Sequence, residues 1–132
     1  MRNSLVFILR LVAAGILLQT LFFKFSGSPE SIFIFSTLGV EPWGRYLAGL
    51  SELLAGVLLL IPAFEIIGAM MALGIISGAI ASHIFVLGLT IQDDGGLLFS
   101  LACIVFISSL LIVVLRKDQL IAQLRTLGAI RS

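Results

Sequence analysis

The chain has 132 residues and a mass of 14.1 kDa, is 60% hydrophobic and only 11% charged, and carries a net charge of +1. A soluble domain is roughly 45–50% apolar and about 25% charged, so a water-soluble core-and-shell protein is excluded, and a disordered chain, which is poor in apolar residues, is excluded with it. The charge gives nucleic-acid binding no electrostatic support, and the lone cysteine, Cys103, excludes an internal disulfide or any two-cysteine redox or metal motif.

What remains is an integral membrane protein. A membrane-crossing helix needs about 20 mostly apolar residues, and four stretches qualify: residues 5–23, 44–61, 66–89 and 97–115. Barrel strands, about ten residues long and alternating in polarity, do not fit these runs. The predicted fold is all-α: one four-span domain forming a transmembrane four-helix bundle, with a short outer interfacial helix and an amphipathic tail over residues 116–132.

The first span follows Arg2, as a signal peptide would. It ends in Phe22, Phe23 and Lys24 rather than in an Ala-x-Ala site, and Pro29 follows the small residues after it, so the span is expected to be retained. The next connection opens with Ser28 and Pro29, an N-cap followed by proline at the first helical position. Gly39 is a natural stop. Ile32, Phe33, Ile34, Phe35 and Leu38 between them predict a short helix lying on the membrane or tucked over the bundle mouth, a packed loop and a functional lid being equally open readings. Trp43 and Tyr46 then fit an interfacial aromatic belt.

The turn between the third and fourth spans carries Asp93, Asp94, Gly95 and Gly96. It reads either as a solvated reversal or as the entrance to a cavity flanked by Asp93 or Asp94. In the tail, Leu120, Ile121, Leu124 and Leu127 share a helical face beside Arg116, Lys117 and Arg125, suiting an anionic membrane surface. Lys/Arg placement puts Arg2, Arg116, Lys117, Arg125 and Arg131 on one side. Lys24 and Arg45 lie opposite, among Glu30, Glu41, Asp93 and Asp94. Both termini are therefore expected in the cytoplasm.

Ionisable groups inside spans are costly and face a cavity or a partner. At about 1.5 Å of rise per residue, Gln19 lies roughly 8 Å below Lys24, Glu52 roughly 10 Å below Arg45, and His83 and Cys103 roughly 9 Å below the outer ends of their helices. The four spans thus share a polar layer in the outer half. Ala48, Gly49, Ala55 and Gly56 surround Glu52, and such small residues mark close-packing faces. Gly74, Gly78 and Ser82 suggest a second close-packing stripe beside His83. Glu52 is expected to pair with His83 or with Lys24, and Lys24 has Asp93 and Asp94 as further partners. Arg10, in the inner half, has Glu65, Ser108, Ser109 or lipid headgroups. Cys103 reads as a small apolar filler. One histidine and one cysteine make no metal site, and no nucleophile–base–acid triad can be assembled.

Arg10, Lys24-Phe-Ser-Gly27, the stretch from Phe33 to Pro42, Ser51-Glu-Leu-Leu-Ala-Gly-Val-Leu-Leu-Leu-Ile-Pro62 and His83 stand in an order that resembles the DoxX-like family of small four-helix membrane proteins. The resemblance implies a bundle in the bacterial inner membrane and, by similarity to the family's founding members, a subunit of a quinone-linked redox system with a redox partner subunit. A quinone is the implied cofactor. Lacking a cysteine pair, the chain cannot perform dithiol chemistry alone. On this reading Glu52, His83, Lys24, Gln19 and Arg10 are the ligand-binding or proton-relay candidates. A carrier for a small polar or amphiphilic solute, and a non-catalytic assembly factor in which the polar layer only fastens helices, stand beside it; the expected partners are the lipid bilayer and either a redox partner subunit or other copies of the chain.

Overall fold

The end of the first helix and both ends of the second are set by capping residues rather than by the edge of an apolar run. A computed structural model describes residues 2–89 and 95–126. Its first helix, α1 (Arg2–Ser26), overruns the apolar stretch at both ends. Gly27 stops it by taking a φ of +72°. The Ser28 N–H then donates to the Phe23 carbonyl at 3.0 Å, the closure that glycine-terminated helices use. Ser28 goes on to cap α2 (Pro29–Thr37), its Oγ accepting from the Ser31 N–H at 3.3 Å. Gly39, at φ +78°, follows the end of that helix. Both signals named in the sequence therefore act as expected.

Helix α3 (Trp43–Leu60) ends where Ile61 is held extended by the following Pro62. A short 3₁₀ turn, Pro62–Phe64, leads into α4 (Glu65–Ser82). The third span does not remain α-helical to its end: His83–Leu87 widen into a π turn, with the Gly88 N–H donating to the His83 carbonyl at 2.7 Å. Helix α5 (Leu97–Leu115) completes the bundle, and α6 (Lys117–Thr126) leaves from its end. The turn carrying Asp93 and Asp94 lies outside the described residues, as does Leu127, so the entrance reading and part of the tail's apolar face have no structural counterpart here.

The four long helices form a ring in which α1 packs on α3 and α5, and α4 packs on the same two. Arg2–Ser26, Trp43–Leu60, Pro62–Leu87 and Leu97–Leu115 are each long and apolar enough to cross a membrane. The interior is built from small side chains, Ala13, Ala14, Ala55, Ala69, Ala72 and Ala102, filled out by Leu17, Leu59, Val105 and Ile112. Large ones such as Phe7, Leu50, Leu54 and Ile107 point outward. This distribution suits a lipid solvent. Tails as apolar as leucine provide no drive to bury leucine, and close approach of small residues supplies the packing instead.

The small face of α3 packs as expected, Gly49 against the Phe25 ring and Gly56 against Leu18. The stripe expected at Gly74, Gly78 and Ser82 does not. A Cβ at Gly74 or Gly78 would meet nothing within 4 Å. The close approach of α3 and α4 occurs instead next to their connecting turn, at Gly68, where a Cβ would lie 2.6 Å from the Leu59 nitrogen and 2.9 Å from the Leu58 carbonyl carbon. Those are backbone atoms, which cannot rotate away. Gly68→Ala is therefore expected to destabilise the bundle by about 1–3 kcal/mol, as overpacking does. Gly74→Ala is expected to leave stability unchanged or to raise it by up to about 1 kcal/mol through helix propensity. Unfolding midpoints in mixed micelles compare the two.

Candidate functional site

Two groups of buried ionisable side chains occupy opposite ends of the bundle. The first is at the end that carries α2. Lys24 Nζ lies 3.1 Å from Glu52 Oε2, with the two side chains only 16% and 8% exposed. Of the two partners open to Glu52, the structure pairs it with Lys24. Thr20, one helical turn before Lys24, was not singled out in the sequence. Its Oγ1 lies 3.0 Å from the same Glu52 oxygen and 2.8 Å from the Leu17 carbonyl, so its one proton is shared between these acceptors. The i, i+4 spacing of Thr20 and Lys24 was the available signal.

The backbone of Lys24 is held as well. Arg45 Nη1 donates to the Lys24 carbonyl, one of the carbonyls that the end of α1 leaves without an intrahelical partner. Arg45 itself is buried. Its Nε donates to Glu41 Oε1 at 2.9 Å, and its guanidinium sits 4.5 Å from the centroid of the Tyr46 ring, which stacks on Phe25. Read in the sequence only as a charge at the end of a span, Arg45 instead ties α1 to α3 and positions Lys24.

His83 is buried at the start of the π turn. Its Nδ1 lies 3.1 Å from the Gly88 carbonyl, and its ring meets Phe99 edge-on at 5.6 Å. No hydrogen bond or ion pair joins it to Glu52, so that alternative is not realised. The two are brought together differently: both border a cavity of about 540 Å³ among the ends of the spanning helices, with Ser31, Ile34 and Phe35 of α2 forming part of its wall. The rest of the lining is largely aliphatic, including Ile16, Leu17 and Ile76. The size and the few polar groups set in an apolar wall suit an organic ligand. Gln19 and Phe23 of α1, Gly78 of α4 and Leu97 of α5 border the cavity and are exposed, so it opens to the outside of the bundle. Gln19 thus belongs to the rim rather than to the buried layer. It precedes Thr20 by one residue, about 100° around the helix, and Thr20 takes the inward position. Cys103 is half-buried and does not border the cavity.

The second group excludes Arg10 from this site. Arg10 Nη1 pairs with Glu65 Oε2 at 3.3 Å, and its Nε donates to the Leu59 carbonyl at 2.6 Å. Of the partners expected, Glu65 is realised and the hydroxyls of Ser108 and Ser109 are not. Leu59 lies in the last turn of α3, where carbonyls have no helical donor, and the guanidinium supplies one. On the other side of Glu65, Arg116 Nε approaches Oε1 to 2.9 Å. That N–H is not aligned for a hydrogen bond, so the contact is ionic. Glu65 opens α4 and Arg116 caps α5, each at the helix end whose dipole favours its charge. All four long helices meet in this cluster.

Among the described residues no three His, Cys, Asp or Glu side chains gather closely enough to hold a metal ion. No protein-family model, curated protein or solved structure matches the chain.

Proposed function

We propose that the chain is a small bacterial inner-membrane protein similar to the DoxX-like family, with both termini cytoplasmic, that binds a quinone headgroup in the cavity at its outer end as a membrane subunit of a quinone-linked redox system. The observation that carries this reading is the cavity itself, which sets Lys24, Glu52 and His83 into an otherwise largely aliphatic wall. An aromatic ring is accommodated by the aliphatic lining. Lys24 offers N–H donors to a ring oxygen, while Glu52 and His83 accept or hold protons beside it. The openings beside Phe23 and Leu97 give an isoprenoid tail a way out to lipid. With no self-contained catalytic motif, the chain supplies the binding and the proton positions, and a partner subunit supplies or removes electrons.

Titration of purified wild type and His83→Ala with quinone tests the reading. Saturable binding to the wild type is expected, with the loss of affinity in the variant falling on the reduced form of the quinone. Equal, negligible binding in both would sink it. The position of α2 against the cavity favours a second reading, a carrier for a small amphiphilic solute gated by that helix. Solute flux that depends on Glu52 and is indifferent to quinone would decide for it.

A further inference from the structure

We infer that the cavity selects the reduced, dihydroxy form of its ring ligand over the dione, with His83 as the residue that discriminates. The inference rests on the quinone reading and follows from a count of donors and acceptors. The Gly88 carbonyl 3.1 Å from His83 Nδ1 can only accept. In the neutral ring the proton therefore sits on Nδ1, and Nε2 holds a lone pair. That nitrogen has no partner among the described residues, on a side chain that borders the cavity. Glu52 Oε2 is engaged by Lys24 and Thr20, while its Oε1 has no partner among the described residues. Lys24 keeps two N–H groups beyond the one directed at Glu52. The Thr20 proton is shared between Leu17 and Glu52, and the Ser82 hydroxyl donates to the Gly78 carbonyl. The Ser28 and Ser31 hydroxyls and the Gln19 amide, which also border the cavity, can each donate or accept and so do not discriminate, and the Glu30 carboxylate is exposed at the start of α2.

The lining thus presents two acceptor-only positions, His83 Nε2 and Glu52 Oε1, against one donor-only group, the Lys24 ammonium. A dione carries acceptors only. One of its oxygens is met by Lys24, and the His83 lone pair stays desolvated and unmatched. A diol has two O–H groups. One donates to His83 Nε2, and the other donates to Glu52 Oε1 while its oxygen accepts from Lys24. Dione and diol differ by two electrons and two protons, so tighter binding of the diol raises the reduction potential of the bound couple.

The test uses duroquinone and durohydroquinone, titrated anaerobically into the purified full chain in lipid nanodiscs. The diol is expected to bind about tenfold more tightly than the dione, the worth of one well-matched hydrogen bond. His83→Phe, which keeps a ring against Phe99, is expected to bring the two affinities to near parity by weakening the diol. If wild type binds both forms equally, or the dione more tightly, the inference falls and the quinone reading stands. If neither binds, both fall. A preference that survives in His83→Phe overturns the assignment to His83. Should that variant not fold, the wild-type ratio decides the preference and the same comparison in His83→Leu decides its assignment.

Discussion

Replacing Glu65 with glutamine is expected to cost about 3–5 kcal/mol, the loss typical of breaking a buried ion pair from one side. The size follows from what Glu65 leaves behind. Arg10 and Arg116 both pair with its carboxylate, and Arg10 is only 8% exposed. Without the carboxylate, two guanidiniums face one another in a low-dielectric interior with one backbone carbonyl, that of Leu59, between α1 and α3. Arg116→Gln should cost less, because that side chain is more exposed and stands at the end of α5. Combining the two should restore part of the loss, because removing the second cation relieves the repulsion that Glu65→Gln creates. A double-mutant cycle on unfolding free energy in mixed micelles measures this. Strict additivity would show that the two arginines do not share Glu65 in solution.

The Lys24–Glu52 pair offers the second large effect, and it separates a structural role from a binding role. Lys24→Met strands a buried carboxylate and Glu52→Gln strands a buried ammonium, so each is expected to cost about 3–5 kcal/mol. The double variant strands neither charge of this pair, and exchanging a buried pair for neutral groups of similar size is often neutral or stabilising. Its stability should return close to that of wild type. On the quinone reading its ligand affinity should not, because the N–H groups of Lys24 and the carboxylate charge of Glu52 at the cavity wall are gone. A double variant that is stable and binds as well as wild type would make the pair a helix fastener only. That outcome would favour the assembly-factor reading.

How much of this could be read from the chain depended on the kind of quantity involved. Span positions follow from hydropathy, a sum over many residues. The α2 boundaries follow from Ser28, Pro29 and Gly39, whose backbone chemistry is local. Depth was legible too: the rise per residue put Glu52 and His83 in one layer, and the cavity joins them. Azimuth was not. Gln19 and Thr20 differ by a single residue in depth but by about 100° in direction, and only the packed helix shows that Thr20 faces Glu52. Backbone partners were equally hidden. The Leu59 carbonyl that receives Arg10 and the Lys24 carbonyl that receives Arg45 belong to residues whose side chains give no hint of a polar role. The glycine stripe misled for a third reason. Four-residue spacing identifies a smooth face without saying whether a neighbour is there, and α3 and α4 come closest beside their short connecting turn, at Gly68, well before the stripe begins.

The joint of Arg10, Glu65 and Arg116 makes the bundle comparable to a tuning fork. Its four tines are seized together at the stem, the cavity lies between their far ends, and there Arg45 and the Lys24–Glu52 pair tie α1 to α3 a second time. Displacement in such a body grows with distance from the stem. Amide hydrogen exchange should therefore slow steadily along α4 and α5 from the α2 end toward Ile66 and Ile112, and ligand exchange should proceed by moving these two away from the tied pair of α1 and α3 while the stem stays shut.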